Sequence, residues 1–125
     1  MLLTGIDLVE NSRIARMIER SFETIKEIFT EREIEYCMGK NFPEQSFGVR
    51  FAAKEAVIKA IQSNILAYDL RNIEVENIES GAPELIIHSE KIKNRIAEKL
   101  GRKDYGISIT LSHEKEFSLA FVVIN

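Results

Sequence analysis

Asp7, Glu55 and Lys59 are the residues of this sequence whose types and spacing could do chemistry together. Two carboxylates and a lysine can gather around one metal ion and one phosphate. A hard divalent cation takes carboxylate and phosphate oxygens, and an ammonium neutralises remaining negative charge. Asp7 ends the apolar run around Gly5-Ile6, at the end of a strand that leads into a helix. Glu55 and Lys59 stand four apart in a helix-forming stretch, so they project from one face about one turn apart. Each also has an ordinary reading. Asp7 alone is more readily an N-terminal helix-cap or turn aspartate than a metal ligand. Glu55 with Lys59 alone is a surface ion pair worth about 0.3–0.5 kcal/mol. The surroundings weigh against the latter: Ala52, Ala53, Ala56, Val57, Ala60 and Ile61 describe a helix packed on several sides. A charged pair on such a helix lines a cleft.

Other groups extend the pattern. His113 follows a strand, with Ser112 before it and Thr110 two residues back, so hydroxyl and imidazole donors cluster where a phosphate can be held. Adjacent strand residues point to opposite faces, so Ser112 and His113 are not a nucleophile–base pair. His88, without evident partners, reads as structural. Arg13, Arg16 and Arg20 fall at i, i+3 and i+7 with Met17 among them. That stripe is either a solvated face or a docking surface for an acidic partner, with arginines for carboxylates and an adaptable methionine for an apolar contact. No P-loop, Rossmann glycine fingerprint, HExxH or paired-cysteine zinc pattern occurs.

The elements that must position these residues form one α+β domain over 1–125, a small antiparallel sheet packed on helices. The chain is 45% hydrophobic, enough for a real core, and its formal net charge of −3 argues against a general nucleic-acid binder. The single cysteine, Cys37, points to a reducing, cytoplasmic setting. The first residues lack a signal-peptide lead, and no apolar run approaches bilayer length, so no membrane is expected. Residues 2–8 read as a strand in which Gly5 permits close backbone approach. Asn11 or Ser12 could cap a helix to about Arg20, and a second short helix covers 22–29. Thr30 to Glu33 is a capping box opening a helix to Met38. A central, largely buried helix runs over about 44–61, its small alanines admitting other backbone. A connection at 65–69 leads to strands at 72–79 and 84–88 around a turn at 80–83. Ser89 caps a helix over 90–100, with Gly101 closing it. Strands at 105–112 and 117–124 finish the chain as a hairpin, with 121–124 apolar throughout and expected to be covered on both faces.

The sequence resembles the holo-(acyl-carrier-protein) synthases, the small bacterial 4′-phosphopantetheinyl transferases. The resemblance is carried by Gly5-Ile6-Asp7-Leu8, Arg13-Ile14-Ala15, Arg50-Phe51-Ala52-Ala53-Lys54-Glu55-Ala56 with Lys59-Ala60, Ile73-Glu74-Val75, Gly81-Ala82-Pro83 and Thr110-Leu111-Ser112-His113. It spans nearly the whole chain in order. It implies transfer of the phosphopantetheine arm of coenzyme A to a serine of apo-acyl carrier protein, releasing adenosine 3′,5′-bisphosphate, in fatty acid biosynthesis. Asp7 and Glu55 would ligate Mg²⁺, and Lys59 would neutralise the coenzyme A pyrophosphate. Arg50 and His113, with Ser112 and Thr110 beside them, would lie near the 3′-phosphate. Arg13, Arg16, Met17 and Arg20 would receive the carrier protein. Glu55, directly or through a metal-bound water, would be the base. A homotrimer with sites between subunits is implied. Ala82 stands where the family often has a lysine, and Thr110 replaces a more usual serine. The alternative is a non-catalytic coenzyme A or acidic-protein binding module of the same fold.

Overall fold

Strand pairing joins the two ends of the chain. The computed structural model describes residues 1–64, 68–77 and 81–125. β1 (Leu3–Glu10) is followed by α1 (Asn11–Arg20), α2 (Phe22–Ile28), α3 (Glu31–Met38) and α4 (Pro43–Ala60). A single 3₁₀ turn (Leu70–Asn72) then precedes β2 (Ile73–Asn77), β3 (Pro83–Ile87), α5 (Glu90–Leu100), β4 (Ile107–His113) and β5 (Phe117–Ile124). β5 lies between β1 and β4 in one antiparallel sheet, and β2 pairs with β3 in a second. The architecture is the expected α+β one, with its strands divided between two small sheets.

The position of α4 follows from its composition. It has almost no polar face, and between Phe47 and Ala60 every residue is buried except Glu55 and Lys59. It therefore crosses the inner face of β1 and β5. β1 alternates strictly, with Leu3, Gly5, Asp7 and Val9 turned inward and Thr4, Ile6, Leu8 and Glu10 outward. Gly5 makes the approach close: a Cβ there would sit 1.9 Å from the Ala56 carbonyl oxygen. Any side chain on Gly5 would hold strand and helix apart.

A buried polar network locks α3 and β2 onto α4. Thr30 and Glu33 form the expected capping box. The Glu33 carboxylate is also an internal counterion: Lys54 Nζ lies 2.8 Å from Oε1, and Oε2 accepts the Val75 N–H at 3.0 Å. Lys54 donates further to the carbonyls of Leu70 and Ile73. Both side chains are fully buried, and burial pulls the Lys54 ammonium below the usual lysine range. Leaving either partner alone in that interior would cost about 3–5 kcal/mol. α5 is capped by Ser89 and closed by Gly101 in the left-handed region, as its sequence predicts.

Four expectations are corrected. Neither Asn11 nor Ser12 caps α1: Glu10 holds the cap position without a side-chain bond. Asn11 is buried inside the helix start, and its amide donates to the carbonyl oxygens of Glu114 and Lys115. His88 has a partner, with Nε2 2.9 Å from Glu74 Oε1. Residues 121–124 alternate instead of being covered on both faces: Val122 and Ile124 are buried, while Phe121 stays 42% exposed. His113, expected to follow the strand, is instead the last residue of β4. The connection expected at 65–69, the far end of the 72–79 strand and the start of the 80–83 turn fall partly outside the described residues. Cys37 is a buried packing residue whose thiol burial pushes up to about 11, which keeps it in the unreactive thiol form.

Candidate active site

β1 and α4 bring Asp7, Glu55 and Lys59 together. Asp7 does not end the strand, as its sequence suggests: β1 runs on to Glu10, and strand alternation turns Asp7 inward, where it is buried. Lys59 Nζ lies 2.7 Å from Asp7 Oδ1 and 3.0 Å from the Ile6 carbonyl oxygen. The lysine therefore gives its hydrogen bonds to the strand, at Asp7 and Ile6, and acts on Glu55 one turn away through its charge alone. Asp7 Oδ2 is buried with no hydrogen-bond partner among the described residues. Glu55 stands against it. Burial, the hydrogen bond with Asp7 and the charge of Asp7 push the Glu55 carboxyl up to about 8, against the pull of Arg13 and Lys59.

Two facing carboxylates have two ways to avoid repulsion. One can hold a proton toward the other, or a cation can sit between them. With both carboxyls ionised, the buried Oδ2 has no donor among the described residues, and it fits a cation ligand. No cluster of three or more His, Cys, Asp or Glu side chains suited to a metal occurs among the described residues. The protein contribution is then a pair of carboxylates. That suits a hard cation such as Mg²⁺, which keeps several waters and takes its other oxygens from substrate phosphates.

The stripe on α1 begins at this site. Arg13 lies over the Phe51 ring, 5.3 Å from its centroid, and its charge reaches Glu55. Arg16 and Arg20 are exposed along the same helix, with Met17 half-buried between them.

Arg50, Thr110 and His113 gather elsewhere, around a cleft of about 400 Å³ also bounded by Tyr36, Asn77 and Gly81. The Arg50 guanidinium is buried against the Tyr36 ring at 4.4 Å. It donates to the Ser46 carbonyl oxygen and to Asn77 Oδ1, and its buried Nε has no partner among the described residues. His113 Nδ1 lies 2.8 Å from Gln45 Oε1. Thr110 borders the cleft from its place on β4, but its side chain, like that of Ser112 two residues on, lies on the outer sheet face: their register partners are Phe121 and Leu119, in line with Ile6 and Leu8. Asp7, Glu55 and Lys59 do not line the cleft. Arg50 and Glu55 are five residues apart on α4, about 140° around its axis. One chain therefore carries two separated half-sites. A further cavity of about 520 Å³ at the start of α1 is bounded by Glu10, Glu44 and Glu116 with Lys115 as its one cation.

Sequence reasoning gave no role to Gln45 or Lys54. Lys54 had a readable signal, since a lysine among Ala52, Ala53, Ala56 and Val57 must find an internal anion. Gln45 had none, because its partner is 68 positions away.

A sequence profile described as the 4′-phosphopantetheinyl transferase superfamily matches residues 4–110. A holo-(acyl-carrier-protein) synthase of Moorella thermoacetica is 34% identical over 99% of this chain and 94% of its own length. That of Clostridium tetani is 36% identical over 96% of this chain and 92% of its own. Among solved structures, a Bacillus anthracis holo-(acyl-carrier-protein) synthase in complex with CoA (3′,5′-ADP) superposes with a TM-score of 0.76 at 31% identity, over 98% of this chain and 94% of that one. An ACPS–CoA complex from Chronobacterium ammoniagenes reaches a TM-score of 0.84 at 22% identity, covering 99% of this chain and 96% of that one, which speaks to the fold alone.

Proposed function

The chain belongs to the 4′-phosphopantetheinyl transferase superfamily, and from that footing we propose how its own residues carry the chemistry. The protein is a holo-(acyl-carrier-protein) synthase: it transfers the 4′-phosphopantetheine arm of coenzyme A to a serine of apo-acyl carrier protein, releasing adenosine 3′,5′-bisphosphate. The observation that carries the site assignment is the facing pair Asp7 and Glu55, with Lys59 2.7 Å from Asp7 Oδ1 and the buried Asp7 Oδ2 unpartnered among the described residues.

Asp7 and Glu55 are proposed as the Mg²⁺ ligands. When bound, the ion would hold the pyrophosphate oxygens and neutralise charge on them. Lys59, exposed at its tip, is proposed to leave Asp7 for the pyrophosphate, neutralising charge that builds on the leaving phosphate. The serine hydroxyl must lose a proton as it attacks phosphorus. Glu55 is the proposed acceptor, directly or through a metal-bound water, because it is the carboxylate that faces Asp7 on the open side of α4. Arg50 and His113 are proposed to receive the 3′-phosphate in their cleft, with Thr110 and Ser112 contributing from the outer sheet face beside it.

A homotrimer is proposed, with each site shared between neighbours. Two observations support it. The half-sites do not meet within one chain, and the outer sheet face presents Ile6 at 54%, Leu8 at 60% and Phe121 at 42% exposure in one contiguous register. That apolar face needs a cover. Sedimentation at three chain masses is the expected result, and a stable monomer with full activity would remove the shared site.

We further propose that Arg13, Arg16, Met17 and Arg20 dock the acidic carrier protein. Reversing Arg13 and Arg20 to Glu is expected to raise the KM for carrier protein by about 10²-fold while coenzyme A binding persists; an unchanged KM would remove the stripe from the interface. A cytoplasmic setting and a place in fatty acid biosynthesis are proposed alongside. No helix among the described residues is long and apolar enough to cross a membrane. The reaction itself is tested by the intact mass of apo-acyl carrier protein after incubation with the protein, coenzyme A and Mg²⁺. A gain of one phosphopantetheine unit, lost in EDTA, is expected; no gain with several carrier proteins would overturn the reading.

A further inference from the structure

His113 is held from behind. Its Nδ1 faces Gln45 Oε1 at 2.8 Å, and an amide oxygen only accepts, so the ring proton lies on Nδ1 and Nε2 is the uncommitted nitrogen. His113 borders the Arg50 cleft and Gln45 does not, so the held edge of the ring is the one turned away from the cleft.

Gln45 is itself fixed by backbone. It lies in the first turn of α4, where its N–H donates to the Phe42 carbonyl oxygen at 3.0 Å. The buried Ser118 hydroxyl lies 3.4 Å from the Gln45 carbonyl oxygen and donates to Asn11 Oδ1 at 2.6 Å. Asn11 in turn binds the hairpin that follows His113: its amide donates to the Glu114 carbonyl oxygen at 2.8 Å, and its N–H donates to that of Glu116 at 2.8 Å. Gly48 leaves room for this clamp, since a Cβ there would lie 2.5 Å from Asn11 Oδ1. The start of α4 and the β4–β5 hairpin are thus fastened to one buried asparagine, which sets the Gln45–His113 separation.

We infer that Gln45 is a positioning residue for the transfer reaction, holding His113 by Nδ1 so that Nε2 is presented to the anion cleft shared with Arg50 and Thr110. The inference rests on reading that cleft as the 3′-phosphate site. An imidazolium so held donates Nε2–H to a phosphate oxygen without giving up Gln45. A ring without the amide turns freely and must be ordered when the ligand binds. The 3′-phosphate is remote from the reacting phosphorus, so the effect belongs in KM more than in kcat.

Gln45→Leu removes the acceptor at similar size and keeps the backbone carbonyl. It is expected to raise the KM for coenzyme A about five- to tenfold with kcat within about twofold. The KM for 3′-dephospho-coenzyme A should stay at the wild-type value. His113→Ala, measured alongside, should raise the coenzyme A KM at least as much. If His113→Ala raises it and Gln45→Leu does not, the role of Gln45 is overturned and the cleft reading stands. If neither does, the cleft reading falls and the inference with it. The ring ¹⁵N spectrum of the wild-type protein, recorded with neutral imidazole, gives a check that needs no variant. A single Nδ1–H tautomer at His113 is expected, and an even mixture would overturn the inference.

Discussion

Glu55→Gln is expected to abolish phosphopantetheine transfer and, in the same protein, to raise the melting temperature in metal-free buffer at alkaline pH. The first effect follows from removing a proposed cation ligand and proton acceptor together, and transfer should fall by at least about 10³-fold. The second follows from the repulsion the fold tolerates at this point. The Glu55 carboxyl is held up to about 8 from an ordinary 4.5, by burial first and then by Asp7. A carboxyl raised in this way favours its protonated form in the folded state. That stabilising preference is complete below about 4.5 and is lost as the pH rises through about 8. Glutamine mimics the protonated form at every pH, so its advantage is small at pH 4 and largest above 8. Because Glu55 is partly exposed, solvent screening reduces the full shift to about 2 kcal/mol, or roughly 5–10 °C. Thermal melts at both ends of the range test the sign. A gain that is equal at acid and alkaline pH would contradict the Asp7–Glu55 repulsion.

Gly5→Ala is expected to be the most damaging of the glycine-to-alanine changes in this chain. The new Cβ would fall 1.9 Å from the Ala56 carbonyl oxygen and 2.8 Å from its carbon. Those are backbone atoms of the most buried helix, with no rotamer to give way. Ordinary overpacking costs about 1–3 kcal/mol, and here the loss should exceed about 3 kcal/mol. Asp7 follows on the same inward face of β1, so lifting the strand from α4 moves it away from Glu55 and Lys59. Any molecules that still fold should lose at least about 10²-fold in kcat, since misplacement by about 1 Å is enough. Gly39→Ala is the control: its Cβ would meet only carbonyl oxygens at 3.6 Å. Denaturant unfolding of the two variants should separate them, and similar midpoints would remove the close-approach account.

The features read correctly from the sequence are those whose partners are near in the chain. The Thr30–Glu33 box, the Ser89 cap and the Gly101 stop are each written within a few residues, and the structure has all three. The buried helix was legible because its apolar coverage left Glu55 and Lys59 as anomalies. The errors are competitions won by distant groups. Asn11 looks like a cap, but the carbonyl oxygens of a hairpin 103 residues away claim its amide. The spacing of Glu55 and Lys59 predicts a pair, yet Asp7 arrives from a strand and takes the lysine. His88 lacked a partner in the sequence because Glu74 comes from the neighbouring strand. The apolar run at 121–124 gave no sign that alternate side chains face outward, since the hydrophobic outer face is itself apolar.

Lys54 and Glu55 are adjacent letters with unrelated obligations. One is sealed beneath α3 against Glu33, and the other faces Asp7 at the open side of the helix. A lineage that abandoned transfer would be released from any need for Glu55 and would even gain stability by losing it. It could not lose Lys54 without stranding Glu33 in the interior. Descendants that have drifted into pure binding proteins should therefore keep the lysine and shed the glutamate, whereas the opposite pattern should mark chains that no longer fold. Inheritance of the lysine testifies to ancestry, and inheritance of the glutamate to occupation.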